Sequence, residues 1–420
     1  MTRHVAIIGA GVVGAISALE VLRDGNRVTI IEPAEPGGEQ AASYGNAGWL
    51  SSHSVIPPAE PGVWKKVPKY LSDPLGPLAI RWRYLPKAAP WLFRYLRSGW
   101  TRAAIEKTAR GLRPLLENAP LLHAKLAEEA GVAHLVERAG VLHVYPSREA
   151  FEADSLAWAV RRKVGIEWLE LDSDELRQRE PALHPRYRFA AMVEEAGRCL
   201  DPGAYVAALV ALAEARGATL VRTRATGFRL DGDRLAAVLT EDGEIACDVA
   251  VISSGIRSKP LAASLGDKLP LETERGYHAM VEGFDIGLRH AVMVSDAKVF
   301  ANPMANGLRS AGQVEIAGVD AEPDWKRAEI MRDGLVHVFP GLPEKLPPEK
   351  VKFWMGHRPS MPDGRPCIGF ARATKDVVYA FGHGHIGLVS SARTGRVVAQ
   401  LIGGRNPEIP LEPFDPKRFL

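Results

Sequence analysis

Cysteine is scarce: the 420 residues include three, Cys199, Cys247 and Cys367. They are far apart and form no Cys-x-x-Cys pair. That argues against a disulfide framework and a thiolate zinc site, and leaves them as small apolar fillers suited to a reducing compartment. Charge of one sign is also lacking. The formal net charge is +3, too small to make nucleic acid a partner. No uncharged apolar run reaches the ~18 residues of a membrane-spanning helix. The apolar stretch 5–22 is not read as a signal peptide. Gly9, Gly11 and Gly14 interrupt it, Glu20 sits within it, and no small-residue cleavage site follows. Internal repeats and low-complexity tracts are absent too.

What is present is enough chain for two cores. The length exceeds the ~250–300 residues at which a single core stops growing. With 46% hydrophobic and 25% charged residues, the composition is that of an ordinary globular protein.

The chain opens with a nucleotide-site pattern. Val5-Ala6-Ile7-Ile8 is a buried-strand run, followed by Gly9-Ala10-Gly11-Val12-Val13-Gly14. Ile16, Ala18, Leu19 and Leu22 then recur at helical spacing. A second β-branched run, 27–31, ends at Glu32. Gly9 permits the tight turn, Gly11 lets backbone N–H groups approach a pyrophosphate, and Gly14 lets the helix pack close to the sheet. The helix N-terminus favours the phosphates, and Glu32 suits a ribose hydroxyl. An acid there disfavours a 2′-phosphate but leaves NAD and FAD both open.

After Glu32 the alternation of strands and helices stops, unlike an NAD domain. Residues 33–48 are rich in Gly, Ala and Ser and end in Asn46-Ala47-Gly48, which suits a loop lying against a flavin. The pattern resumes with a helix from Asp201-Pro202 and a strand at 219–222. A hairpin turns at 231–233, and a buried strand closes on Ser253-Ser254-Gly255. Near the end, Gly356-His357-Arg358-Pro359 precedes a strand at 377–381. That strand runs into Gly382-His383-Gly384-His385-Ile386-Gly387, and a helix follows from about Leu388.

These three blocks, 9–14 with Glu32, 248–255 and 354–387, resemble the D-amino-acid oxidase (DAO) superfamily of FAD-dependent enzymes, nearest to bacterial D-amino-acid dehydrogenases and glycine-oxidase-like enzymes. The resemblance spans nearly the whole chain and is weakest over 58–190. It implies an α/β fold: a Rossmann-type FAD-binding domain built from separated segments (1–57, 192–262 and 353–420), plus an α+β substrate domain with a mixed sheet (58–191 and 263–352). The connector 343–350 is rich in Pro and Lys and is read as lying between the domains.

For the cofactor, the expected contacts are Gly9, Gly11, Val12, Val13, Gly14, Glu32, Asn46, Ala47, Gly48, Ser254, Gly255, Gly382, His383, Gly384, Ile386 and Gly387. Non-covalent FAD is expected, because the residues around Cys367 differ from those of relatives that attach flavin through cysteine. Among similar enzymes the arginine of a Gly-x-Arg-Pro segment pairs with the substrate carboxylate, which assigns that role to Arg358. Tyr277 is expected at the same carboxylate, with His278 on the opposite face of its strand. His53, after the Asn46-Ala47-Gly48 loop, is read as an aid to amine deprotonation, against a loop histidine with no role. Trp49 packs on the ring or fills core. His383 and His385 are spaced like metal ligands but lack a third partner, so no metal is expected.

The function implied is oxidative deamination of a D-amino acid to a 2-oxo acid and ammonia, by hydride transfer from Cα to flavin N5. The rivals are an FAD enzyme of glycine, sarcosine or D-hydroxyproline-type secondary amines, a flavin-binding assembly protein without turnover, and an NAD-dependent dehydrogenase. Residues 64–102 hold nine Lys or Arg against Asp73 alone, and four of the nine tryptophans: Trp64, Trp82, Trp91 and Trp100. Such a segment suits an anionic membrane surface, which would place a cytoplasmic protein on the inner face of the cell membrane, beside a quinone or respiratory-chain acceptor. The competing reading is a helical part of the substrate domain with buried aromatics.

Overall fold

The alternation of side chains along the first strand explains how two cores meet at one sheet. In the computed structural model, Val5 and Ile7 of the strand His4–Ile8 enter one apolar cluster, while Ala6 and Ile8 enter another. The first cluster holds the helices Val12–Arg23, Pro202–Ala215 and Gly387–Ile402. The second holds Leu235 and Val238 of a three-stranded antiparallel sheet. A strand buried on both faces must be apolar there, and Val5 to Ile8, the fully buried part of this one, are apolar at every position. The structure describes residues 2–57, 59, 61–62, 76, 78–297 and 299–420.

His4–Ile8 is central in a six-stranded sheet. The order is Thr219–Val221, Arg27–Ile31, His4–Ile8, Val249–Ile252, Val377–Phe381, Cys367–Phe370; all are parallel except the last. The strands come from three separated stretches of chain, as the glycine blocks imply. The helix Pro202–Ala215 starts where its sequence says it should: Pro202 opens it and the Asp201 carboxylate accepts from Ala204 N, 3.0 Å.

The second large sheet is mixed and nine-stranded. The strand Glu272–Glu282 lies between Gly307–Ile316 and Val351–Ser360, antiparallel to both, with Glu274 opposite Arg358 and Tyr277 opposite Gln313. The helix Lys326–Val338 covers one face of this sheet. The expected division at residue 353 therefore needs correction. It cuts through Val351–Ser360, which hydrogen-bonds into the larger sheet, so Arg358 stands on that sheet.

In the basic aromatic segment, Trp64, Lys65, Lys66 and Asp73 lie outside the described residues. Leu85–Ser98 and Arg102–Leu116 are helices. Trp91 is buried and stacks on Tyr95 at 5.2 Å, but Trp82, Phe93 and Trp100 are 62%, 67% and 58% exposed. Burial thus accounts for only one of the three described tryptophans.

Histidines are unusually well buried. Burial holds His53 and His143 well below the ordinary value, lowers His123 to about 4, and lowers His278 and His383 to about 3. A group whose folded pKa is depressed stabilises the fold above its unfolded pKa, here 6.5, and withdraws that stability as pH falls. Urea midpoints should accordingly be flat above pH 7 and fall below about 6.5, each such histidine removing about 1.4 kcal/mol per pH unit. Equal midpoints at pH 7 and pH 5 would contradict this.

Candidate functional site

At the first turn, glycine is required by space. Gly9 has φ +103°, and a Cβ there would lie 2.8 Å from Ser253 O. A Cβ on Gly14 would lie 1.8 Å from Gly9 O. The helix can approach the strand ends only because both side chains are missing. Val12 N donates to Ser43 Oγ, 3.1 Å, so the loop after Glu32 caps the helix. The Glu32 carboxylate accepts from Ala10 N at 2.9 Å and Ala34 N at 3.2 Å.

One cavity of about 1240 Å³ runs from this turn to the larger sheet. Gly9, Gly11, Val12, Val13 and Glu32 line its first end, with Ser254 and Gly255 across from them and Arg224 and Arg257 beside them. Gly14 lies beneath the turn. Asn46 and Ala47 line the middle, then His383, Gly384 and Gly387 of the last glycine turn. Gly11 and Gly384 thus share one cavity. Gly48 (φ +76°) is behind the wall, where a Cβ would meet Cys199 O at 2.3 Å. Gly382 packs on Met361, and Ile386 is in the core. These last three expected contacts shape the walls from behind.

The middle wall is fixed by residues with no sequence signal. Buried Arg309 donates to Tyr44 O at 3.0 Å and Asn46 O at 2.6 Å, and Asn302 Nδ2 donates to Ala47 O at 2.9 Å. Trp354 donates to Glu39 O, 2.9 Å, and its ring lies where side chains on Gly45 or Gly356 would be, 1.9 and 2.1 Å away. His278 stacks on that ring at 5.1 Å.

The cavity suits a dinucleotide. A cradle of glycines and small residues leaves room for pyrophosphate, two arginines supply positive charge, and the volume exceeds the ~300–1,000 Å³ of single small-ligand sites. Cys367 is fully buried and does not line the cavity. His383 pairs with Thr394 Oγ1, 3.2 Å. Among the described residues no group of three or more His, Cys, Asp or Glu could hold a metal ion.

At the far end Arg358 lines the cavity. Its Nη1 donates to Gln313 O, 3.0 Å, and its guanidinium lies over Gly276, where a Cβ would come within 2.4 Å. Gly276 is therefore the residue of the 274–278 segment that shapes this end, and Glu274 lines the cavity beside Arg358.

Tyr277 corrects the expectation. It is turned away from the cavity under the helix Lys326–Val338. Its hydroxyl donates to Glu315 Oε2, 2.7 Å, and accepts from Asp324 N, 3.0 Å. Tyr277→Phe should leave KM unchanged and cost about 1–3 kcal/mol of stability, because a buried acceptor and donor lose their partner. A raised KM with an unchanged melting temperature would contradict this placement.

His53 is a second correction. It is buried away from the cavity, its Nε2 2.8 Å from His143 Nε2. Burial, and then Arg161 and Arg113, hold it well below the ordinary value. Trp49 does line the cavity, and packs edge-on to Phe300 at 5.1 Å.

Residues 4–401 match the family model described as DAO, FAD dependent oxidoreductase. A D-amino-acid oxidase of Bradyrhizobium diazoefficiens is 68% identical over 418 residues, covering 100% of this chain and 99% of that one. A D-amino acid dehydrogenase of Paramagnetospirillum magneticum is 32% identical over 426 residues, covering 99% and 98%. Among solved structures, glycine oxidase from Geobacillus kaustophilus aligns with a TM-score of 0.73 at 22% identity, covering 100% of both chains. L-proline dehydrogenase from P. horikoshii aligns at 0.74 and 19%, covering 100% of this chain and 98% of that one. At those identities the likeness shows a shared fold.

Proposed function

The chain belongs to the DAO family of FAD-dependent oxidoreductases, and from that premise we propose that it deaminates D-amino acids oxidatively, yielding a 2-oxo acid and ammonia. One observation carries the reading: a single cavity joins the glycine cradle to the guanidinium of Arg358. When bound, FAD supplies a two-electron acceptor for the hydrogen on the substrate Cα. The protein's part is placement. Arg358 offers a planar fork to the carboxylate, and Met293, Phe300, Val314, Trp91 and Leu92 give the side chain an apolar wall. Backbone groups around Gly11, Ser254 and Gly384 hold the cofactor, with no bond to Cys367. The names of the two sequence relatives support the D-amino-acid class.

The test is anaerobic mixing of the yellow protein with a panel of D- and L-amino acids. Loss of visible flavin absorbance with D-amino acids is expected. Bleaching only by glycine, sarcosine or cyclic imino acids would replace this reading with secondary-amine oxidation. No bleaching at all would leave a binding protein.

The division of labour is proposed as FAD binding by the six-stranded sheet and substrate binding by the nine-stranded one. No helix among the described residues is long and apolar enough to cross a membrane. The exposed side of the helix Leu85–Ser98 carries Phe93 with Lys87, Arg94 and Arg97, and Trp82 and Trp100 flank its ends. Apolar rings among cations fit the headgroup region of an anionic bilayer. This face would bring the reduced protein to a quinone acceptor on the inner side of the cell membrane. Cosedimentation with phosphatidylglycerol vesicles at low salt should disappear in the W82A/F93A/W100A variant. Equal sedimentation of both proteins would end the idea.

A further inference from the structure

With His53 sealed in the core, the substrate's ammonium needs another group to take its proton. We propose that Glu274 receives the α-ammonium group of the amino acid and takes up that proton; the inference rests on the amino-acid reading above. One substrate N–H bond breaks, one carboxyl O–H bond forms, and no electrons change hands.

Geometry carries it. Glu274 and Arg358 are direct cross-strand partners on one face of the sheet, and both line the cavity. Such partners hold their Cβ atoms ~4.5–5.5 Å apart, a spacing suited to the two charged groups on one Cα. They are not hydrogen-bonded to each other: Arg358 Nη1 donates to Gln313 O, and Glu274 Oε2 accepts from Ser360 Oγ, 2.7 Å. A cation and an anion side by side, each anchored by a different neighbour, form a dipolar clamp for a zwitterion.

The position favours the α-amine over an amine in the substrate side chain. Ser360 bridges to His383, and a Cβ on Gly384 would touch Ser360 Oγ at 3.1 Å. Glu274 is thereby tied to the last glycine turn, where the two halves of the site meet. Among the described residues, the groups facing it are Arg358 and Ser360 on its neighbouring strand, Tyr95 from the helix Leu85–Ser98, and His385 from the turn. Burial raises its carboxyl above the usual range, against the Ser360 hydrogen bond and Arg358. That is the direction a proton acceptor working near neutrality requires.

The test compares wild-type holoenzyme with E274Q and E274D, on a D-amino acid that bleaches the wild type. E274Q should keep its flavin and bind isobutyrate, a carboxylate without an amine, as well as wild type does. Its kcat/KM should fall about 100-fold at pH 7, and the deficit should shrink as pH rises and the free amine becomes abundant. E274D should recover part of the loss. An unchanged kcat/KM, a deficit constant with pH, or a loss confined to substrates with basic side chains would each overturn the proposal. Should E274Q come without flavin, S360A decides. Removing that donor moves the acid limb of the kcat/KM profile to higher pH, and an unmoved limb overturns the assignment. A wild type that no D-amino acid bleaches would instead bring down the functional reading itself.

Discussion

Arg358→Ala should lower kcat/KM for D-amino acids by about 30- to 4,000-fold while the flavin content per chain stays the same. Truncating one partner of a desolvated, hydrogen-bonded charge pair costs about 2–5 kcal/mol or more, and each 1.4 kcal/mol is tenfold. The native arginine is prepared for this role. Gln313 O holds one nitrogen, Gly276 gives the guanidinium a flat bed, and the cavity faces it. The substitution frees Gln313 O to turn to water in the emptied space, and removes the cation beside the buried Glu274 carboxylate. Arg358→Lys keeps the charge but loses the two-pronged geometry, so it should fall between the other two. Absorbance spectra of the purified variants, read before any kinetics, decide the interpretation. A colourless R358A protein would assign the arginine to the cofactor.

What could be read in advance divides by the range of the physics involved. The first turn is local: strand, glycines, helix and acid fall within 29 residues, His4 to Glu32, and each is needed for a neighbour in sequence. The same holds for Asp201 capping its own helix and for the tight turn at Gly232 (φ +65°) between two strands. The substrate end is not local. Which face of Glu272–Glu282 meets the cavity depends on partner strands about 40 and 80 residues away. Alternation puts Tyr277 and His278 on opposite faces, but it does not say which face meets the cavity, and the cavity is lined by Glu274 with Gly276 under Arg358 rather than by Tyr277. His53 failed for a similar reason. Ser51 and Ser54 line the cavity while His53 between them points into the core, and nothing in the loop composition distinguishes those directions. Arg309 gives no local sign of reaching back to Tyr44 and Asn46.

Gly14→Ala and Gly11→Ala should fail in different ways, and the difference separates the demands of the fold from those of the ligand. At position 14 the added methyl would lie 1.8 Å from Gly9 O and 2.8 Å from Ser253 Oγ. Neither can yield easily: Gly9 N is bonded to Ile31 O at 2.9 Å, and Ser253 Oγ donates to Ile8 O at 3.0 Å. The helix must lift from the sheet, a core overpacking that costs about 1–3 kcal/mol or more. The prediction for G14A is a colourless protein that melts earlier than wild type and stays colourless in excess FAD. At position 11 the backbone is extended, and a methyl would find only Ser43 Oγ, 3.5 Å away, an ordinary contact. The apoprotein of G11A should melt with wild-type apoprotein. Its methyl would instead stand where a pyrophosphate must approach the backbone, so FAD affinity should weaken about 10- to 100-fold, the equivalent of about 1–3 kcal/mol. Calorimetric titration of the apoproteins measures it. Wild-type affinity in G11A would mean that the phosphates lie elsewhere than against the first turn, and an equal loss of stability in both variants would mean that the two glycines serve the fold alike.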